Sequence, residues 1–368
     1  LSANLVMDFN AFEEKNPGKL HVLLDGSFGK QDIMRFMGGM PTEFIRRWPN
    51  QSLTVKGAAS GNMKRVDITG ISLKLPTAFH VFAKGHAENP TDMKKLKARL
   101  DVDVKTYNLG FATVLLDKEI NRMVNIPSGI GMKGTLVAEG EKYMADIVAT
   151  EGRGVVKAKA MLDLNRMAYD VKLDANRVQL QHFLPHYGLS PFSGTLTAQG
   201  CGTDFFSPRT RLAARARVSG FRYAGYDMSG VKANAEIANG NVSAHVDSHT
   251  RLFDGTISLN ALMSKRIVCG TVACDLRQAD LYRLRVVDKP LSAGLCAHID
   301  IDSDLKEYFK VNGFVSRIVL KDSKQYYYPQ DLSLDLLTNR DTTTACLTCG
   351  DFDLDAHVKG GYENLIKE

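Results

Sequence analysis

Five stretches of the 368-residue chain carry residue types and spacings that could do chemistry. Gly129-Ile-Gly-Met-Lys-Gly134 matches G-x-G-x-x-G, a phosphate cradle that works only between an incoming strand and a following helix N-terminus. Pro127 precedes this copy and the strand-like Thr135-Leu-Val-Ala follows, so no helix end would face a pyrophosphate. Asp300-Ile-Asp-Ser-Asp304 opens like a calcium loop, but Leu305 replaces the glycine of the sixth position and Val311 the bidentate Glu of the twelfth. Cys346-Leu-Thr-Cys349 has C-x-x-C spacing with no second pair beside it. In an oxidising compartment that pair, or Cys269 with Cys274, could bridge, which spacing alone does not decide. His182 and His186 lie four apart, yet Pro185 interrupts the helix and no HExxH motif accompanies them. Asp351, Asp353 and Asp355 alternate as on the solvated face of a strand. With no G-x-S-x-G elbow and no convergent nucleophile and base, the chain reads as a non-enzyme. No catalytic residue, cofactor or metal ligand set is assigned.

The positioning elements are strands. Residues 211–218 alternate without a break, with Leu212, Ala214, Ala216 and Val218 on one face and Arg211, Ala213, Arg215 and Arg217 on the other. Val231, Ala233, Ala235 and Ile237 repeat the pattern against Lys232, Asn234 and Glu236, and Val242, Ala244 and Val246 continue it. Ile257 and Leu259 extend the same face on the next strand. Asn239-Gly240 predicts a two-residue type I′ hairpin, since both positions need φ > 0. Folding there sets Ile237 opposite Val242, Ala235 opposite Ala244 and Ala233 opposite Val246, and on the reverse face Lys232 opposite Asp247. The apolar face is built of small side chains, too thin to fill a closed core alone.

Similar strands recur along the chain, for instance over 21–26, 53–58, 66–75, 80–85, 96–105, 135–139, 154–164, 169–174, 195–199, 256–262 and 294–301. Short amphipathic helices are expected over 31–37, 41–47, 116–124, 178–184 and 278–284, each too short to stand without packing on something. Each leads into a strand of the form x-G-x-L-x-x-G, and the approximate repeat units are 18–110, 111–175, 176–275 and 276–368. The expected fold is mainly β: one elongated, strongly twisted antiparallel sheet curled into a groove, an open half-barrel with short inserted helices. In the alternative, Phe36, Phe44, Ile45, Phe183 and Leu184 on those helices fill the groove as an ordinary core.

The totals narrow the function classes. The +6 formal charge is scattered, without a Lys/Arg run or interleaved aromatics, so nucleic acid is not an expected partner. No stretch is apolar enough for a membrane helix, and no signal peptide is visible. A chain that opens at Leu1 directly into a strand-like segment is expected to be an interior piece of a longer protein.

The chain resembles the AsmA-like and TamB-like proteins of Gram-negative envelopes, in particular the large Bacteroides-type members. The resemblance rests on 175–185 leading into Phe192-Ser-Gly-Thr-Leu-Thr-Ala-Gln-Gly200, and on Gly200-Cys-Gly-Thr-Asp-Phe205. Gln31-Asp-Ile-Met-Arg-Phe36, Tyr223-Ala-Gly-Tyr226 and Cys349-Gly-Asp-Phe352 add to it. It implies an inner-membrane anchor outside this segment and a periplasmic β-groove that carries phospholipid acyl chains toward the outer membrane. Some relatives are tied instead to outer-membrane protein assembly through a barrel partner. On this reading Leu212, Ala214, Ala216, Val218, Val231, Ala233, Ala235, Ile237, Val242, Ala244, Val246, Ile257 and Leu259 line the groove. A third class, adhesion or glycan binding, would favour exposed aromatic platforms, and the single tryptophan, Trp48, sits beside an expected helix.

Overall fold

The computed structural model describes residues 2–11, 13, 16–36, 38–116, 123–223 and 225–361, in two compact units, 1–193 and 194–368. In the first unit, Gly- and Asn-punctuated alternation yields ten strands. They are β1 (Ser2–Met7), β2 (Leu20–Phe28), β3 (Leu53–Gly61), β4 (Arg65–Leu75), β5 (Phe79–Glu88), β6 (Lys97–Thr106), β7 (Gly131–Glu139), β8 (Lys142–Glu151), β9 (Gly154–Asp163) and β10 (Ala168–Val178). Each pairs antiparallel with the next in chain order. Between β2 and β3 are α1 (Lys30–Phe36) and α2 (Thr42–Arg47). A single turn, α3 (Leu180–Phe183), follows β10, and β11 (Phe192–Cys201) begins at the boundary of the units.

The second unit has β12 (Arg211–Gly220), a miniature hairpin of β13 (Arg222–Tyr223) and β14 (Tyr226–Asp227), β15 (Lys232–Ala238), β16 (Asn241–His249) and β17 (Phe253–Met263). It continues with β18 (Val268–Asp280), β19 (Ser292–Ser303), β20 (Phe309–Lys321), β21 (Tyr326–Tyr327), β22 (Leu332–Thr338), β23 (Thr342–Cys349) and β24 (Phe352–Lys359). The antiparallel order is β12-β15-β16-β17-β18-β19-β20-β22-β23-β24, with β21 also on β20. Neither sheet closes into a barrel: among the described residues β1 pairs with β2 and β24 with β23, and neither end strand meets a further partner within its unit.

The Asn-Gly hairpin forms as its sequence requires. Asn239 (φ 56°) and Gly240 (φ 79°) both take the left-handed region, and Ile237 faces Val242, Ala235 faces Ala244 and Lys232 faces Asp247. The phase of β4 is set by something less visible. A bulge at Thr69-Gly70 lets Ile68 and Ile71, three residues apart, share one face, opposite Ala59 and Gly57 respectively.

The helices depart from the groove-filling alternative. Phe44 and Trp48, 3% and 7% exposed, pack with Ile33, Leu75, Ala78 and Phe111 against Phe28, Leu53 and Phe79. The last three residues begin or end their strands, so the cluster caps one rim of the sheet and leaves its face uncovered. Ile45, Phe183 and Leu184 are only half-buried. The side chain of Phe36 and most of the helix expected over 116–124 lie outside the described residues. The helix expected over 278–284 is corrected: β18 runs on to Asp280, and residues 281–285 form a turn in which the Leu284 N–H donates to the Asp280 carbonyl. Strand pairing of Phe253 with Ala279 and of Ala293 with Ala279 wins over the local helical spacing there.

Candidate functional site

The alternating strands bring their apolar positions into register across every ladder. In the second unit one transverse row reads Ala214, Ala235, Ala244, Leu259, Val272, Ile299, Gly313, Leu334, Leu347 and Leu354. The row on one side runs from Leu212 through Ile237, Val242 and Ala261 to Ala356. On the other side it runs from Ala216 through Ala233, Val246, Ile257 and Cys274 to Phe352. Three rows of ten residues contain no charged side chain. Val218 and Val231 lie at the end of the same face, joined by the Val218 N–H donating to the Val231 carbonyl. The structure thus brings the thirteen residues singled out in the sequence onto one face.

The first unit does the same on residues that inspection of the sequence did not single out. Its middle row is Leu5, Val22, Ala59, Ile68, Gly85, Leu100, Leu136, Ala145, Ala160 and Val171, with an apolar row on each side. Each strand's period-two alternation was the available signal; adding the strands together needs the register.

Within each unit, the side chains of the described residues leave the apolar face half-exposed. Of the three rows in the second unit only Ile237 is buried, and the rows of the first unit contain no buried residue. Three positions along a strand span about 13 Å and ten strands about 43 Å, at ~3.3 Å per residue and ~4.8 Å between strands. The product, about 560 Å², lies at the upper end of the roughly 300–600 Å² of the largest apolar patch on a typical monomer, a size that is often functional. The first unit also holds an apolar concavity of about 400 Å³ lined by Leu100, Leu136, Tyr143, Ala145, Ala160 and Leu162.

The opposite faces are mostly polar, with ion pairs between neighbouring strands, though Leu23, Phe82, Met161, Leu262 and Phe314 are exposed there. Lys133 pairs with Asp103 at 3.0 Å, Lys159 with Asp146 at 3.0 Å and Lys56 with Asp25 at 3.0 Å. A larger concavity, about 760 Å³, lies on this side in the second unit, lined by Glu236, Ser243, Asn260, Thr271, Asp300 and Asn312. A twisted sheet is saddle-shaped and therefore concave on both faces along different diagonals. The groups in this trough bond to their cross-strand neighbours, Thr271 to Asp300 at 2.6 Å and Asn312 to Asp335 at 2.5 Å, so it is a solvated strand face with the wrong chemistry for acyl chains.

The stretches that looked chemical are dispersed. Gly131 already starts β7, so the glycine-rich run leads into a strand. The Asp304 carboxylate accepts the backbone N–H groups of Lys306, Glu307 and Tyr308, which hold it below the usual carboxylate range, chiefly through Tyr308 and Lys306. Cys346 faces Asp355 on the polar side and Cys349 faces Phe352 on the apolar side; Cys269 and Cys274 are likewise split between faces, and all six cysteines are free thiols. His182 Nδ1 lies 2.7 Å from Glu151, and His186 stands in the exposed turn beyond. Among the described residues no three His, Cys, Asp or Glu side chains converge as metal ligands, and no helix is long and apolar enough to cross a membrane.

No protein-family model, no curated protein and no solved structure matches this chain.

Proposed function

We propose that this chain is a periplasmic segment of an AsmA/TamB-like bridge protein, anchored in the inner membrane of a Gram-negative bacterium, that conducts phospholipid toward the outer membrane. Acyl chains lie on the apolar faces, head groups stay at the strand ends in water, and no covalent chemistry is involved. One observation carries the reading: three adjoining register rows in each unit are free of charge and half-exposed. Covering them with lipid contributes about 0.8 kcal/mol per buried CH₂, and the alanines and glycines of the rows leave room for chains to lie flat. Sliding along such a face costs little because neighbouring positions are chemically alike. Native mass spectrometry with lipid extraction tests it. The purified chain is expected to carry one or more phospholipids, lost in Ala235→Asp; a lipid-free chain that stays folded overturns the reading.

A scaffold for outer-membrane protein assembly with a barrel partner is the second reading, favoured by one feature. Among the described residues β1 pairs with β2 alone and presents Leu5, Val6 and Met7 in exposed positions, the geometry that strand addition uses. Binding of an unfolded barrel polypeptide that is abolished by Leu5→Pro and indifferent to Ala235→Asp would move the assignment to that reading.

A further inference from the structure

In the first unit the packed cluster of Phe44, Trp48 and Phe111 closes one rim, and the connections at the other rim expose their apolar tips. Four of these connections form one continuous edge: 62–64 between β3 and β4, 89–96 between β5 and β6, 140–141 between β7 and β8, and 164–167 between β9 and β10. They are bonded turn to turn. The Asn89 N–H donates to the Lys64 carbonyl at 2.8 Å, that of Gly140 to Leu96 at 2.7 Å and that of Leu164 to Glu141 at 3.0 Å. At ~4.8 Å between strands the edge runs on the order of 30 Å.

Apolar and basic side chains dominate what this edge shows to solvent. Met93, Leu164 and Met167 are 58%, 44% and 47% exposed. Met167 also holds the left-handed region (φ 49°), where asparagine or glycine would sit with less strain, so a long apolar side chain is kept at that tip against the local preference. Every exposed charged residue of the four turns is a cation: Lys64, Lys94, Lys95 and Arg166. Lys94 and Arg166 pair with no carboxylate among the described residues. The two acids, Asp92 and Glu141, are half-buried, and Asp92 is committed to the Lys94 N–H at 3.1 Å and the Lys95 ammonium at 3.4 Å. Glu139, exposed at the end of β7, is flanked in register by Lys97 and Lys142. Further along the rim, the connection 8–19 adds charges of both signs and the wholly exposed Phe9.

A line of single apolar tips interspersed with lysine and arginine fits a bilayer better than a protein. Each Met or Leu can enter the head-group layer on its own while a neighbouring cation meets lipid phosphates. A protein partner would need about 800 Å² of matched surface, which a strip one turn wide and on the order of 30 Å long does not supply. Behind the edge, the first apolar row contains Ala98, Ala138, Tyr143 and Leu162, which line the concavity of about 400 Å³. A bilayer held at this rim adjoins the unit's apolar face at that concavity. We propose that residues 1–193 dock on the surface of a bilayer containing anionic lipid through the turns 62–64, 89–96, 140–141 and 164–167. This goes beyond acyl-chain conduction and does not depend on it.

Co-sedimentation of the full chain with vesicles tests it, using phosphatidylcholine alone and an equimolar mixture of phosphatidylcholine and phosphatidylglycerol. The native chain is expected to pellet with the mixed vesicles and to bind phosphatidylcholine alone about tenfold more weakly. Met93→Ser, Leu164→Ser and Met167→Asn together are expected to weaken binding at least about tenfold on both vesicle types. Lys94→Gln with Arg166→Gln should weaken it on the mixed vesicles only. Leu115→Ser with Arg153→Gln, exposed positions on the opposite rim, should match the native chain, and circular dichroism checks every fold. Rim variants that pellet like the native chain, or a native chain that stays in the supernatant with both vesicles, overturn the docking. Equal binding of the native chain to the two vesicle types overturns the assignment to anionic lipid. A native chain that yields extracted phospholipid yet fails to pellet overturns the docking and leaves the lipid-conducting reading standing; one that pellets but yields no lipid upholds the docking while that reading falls.

Discussion

The two units solve the same sheet with opposite use of their aromatic side chains. In the first, the insertions after β2 and β6 turn Phe44, Trp48 and Phe111 inward, with ring centroids 4.9 to 5.6 Å apart, and close one rim with a packed cluster. In the second, the corresponding rim buries Leu252 with the small Ala279 and Ala293, leaves Tyr282, Tyr326, Tyr327 and Tyr328 exposed, and has no aromatic ring among its buried described residues. Stability in an open sheet with a half-exposed face has to come from ladders and rims, so the first unit draws on a large aromatic cluster and the second on small, closely packed side chains at its strand ends.

That contrast can be broken by substitution. Trp48→Ala opens the packed rim, and a large aromatic removed from a closed cluster is expected to cost about 3–5 kcal/mol in denaturant unfolding. Tyr328→Ser, an exposed tyrosine at the second unit's rim, should not approach that; an equal loss there would erase the distinction. Ala235→Asp should leave unfolding nearly unchanged, because the position is half-exposed, yet lower lipid carried per chain by at least about tenfold, roughly 1.4 kcal/mol, since a carboxylate under an acyl chain must lose its water. Lipid extraction reads it.

Tyr226→Phe removes one hydrogen bond and is expected to cost about 1 kcal/mol or less at neutral pH. The Tyr226 pKa is raised, first by its bond to Asp280 and then by burial. A raised folded pKa means the folded chain holds the phenol proton more tightly. The contribution is therefore complete below about pH 10 and declines as pH rises through the folded value. Alkaline unfolding of native and Tyr226→Phe chains should converge in that window, and curves that stay parallel would detach Tyr226 from the rim. The smallest change is expected from Arg215→Asp on the polar face, within about 0.5 kcal/mol in stability and without effect on lipid. A loss of lipid there would mean that face is not the solvated one.

Much of this was legible in the residues. Asn239-Gly240 fixed a register, and alternation from Arg211 to Val246 told which side chains share a face. What alternation could not give was phase across a bulge: Val66, Ile68, Ile71 and Leu73 share a face only because Thr69-Gly70 inserts the extra residue. Nor could it place the helices, since the spacing in 31–47 says that one side is apolar but not whether that side meets a sheet face or the strand ends. At 278–284 the same helical spacing misled, because pairing of Ala279 with Phe253 and Ala293 outweighs the propensity of a seven-residue segment.

The central claim is that acyl chains lie on one face of the sheet. A photo-crosslinking residue at Ala244, compared with one at its neighbour Ser243, tests it most directly, because one step along β16 moves the probe to the other side. In the presence of phospholipid the account predicts a lipid adduct at 244 and none at 243. Adducts at both positions, or at 243 alone, would contradict it.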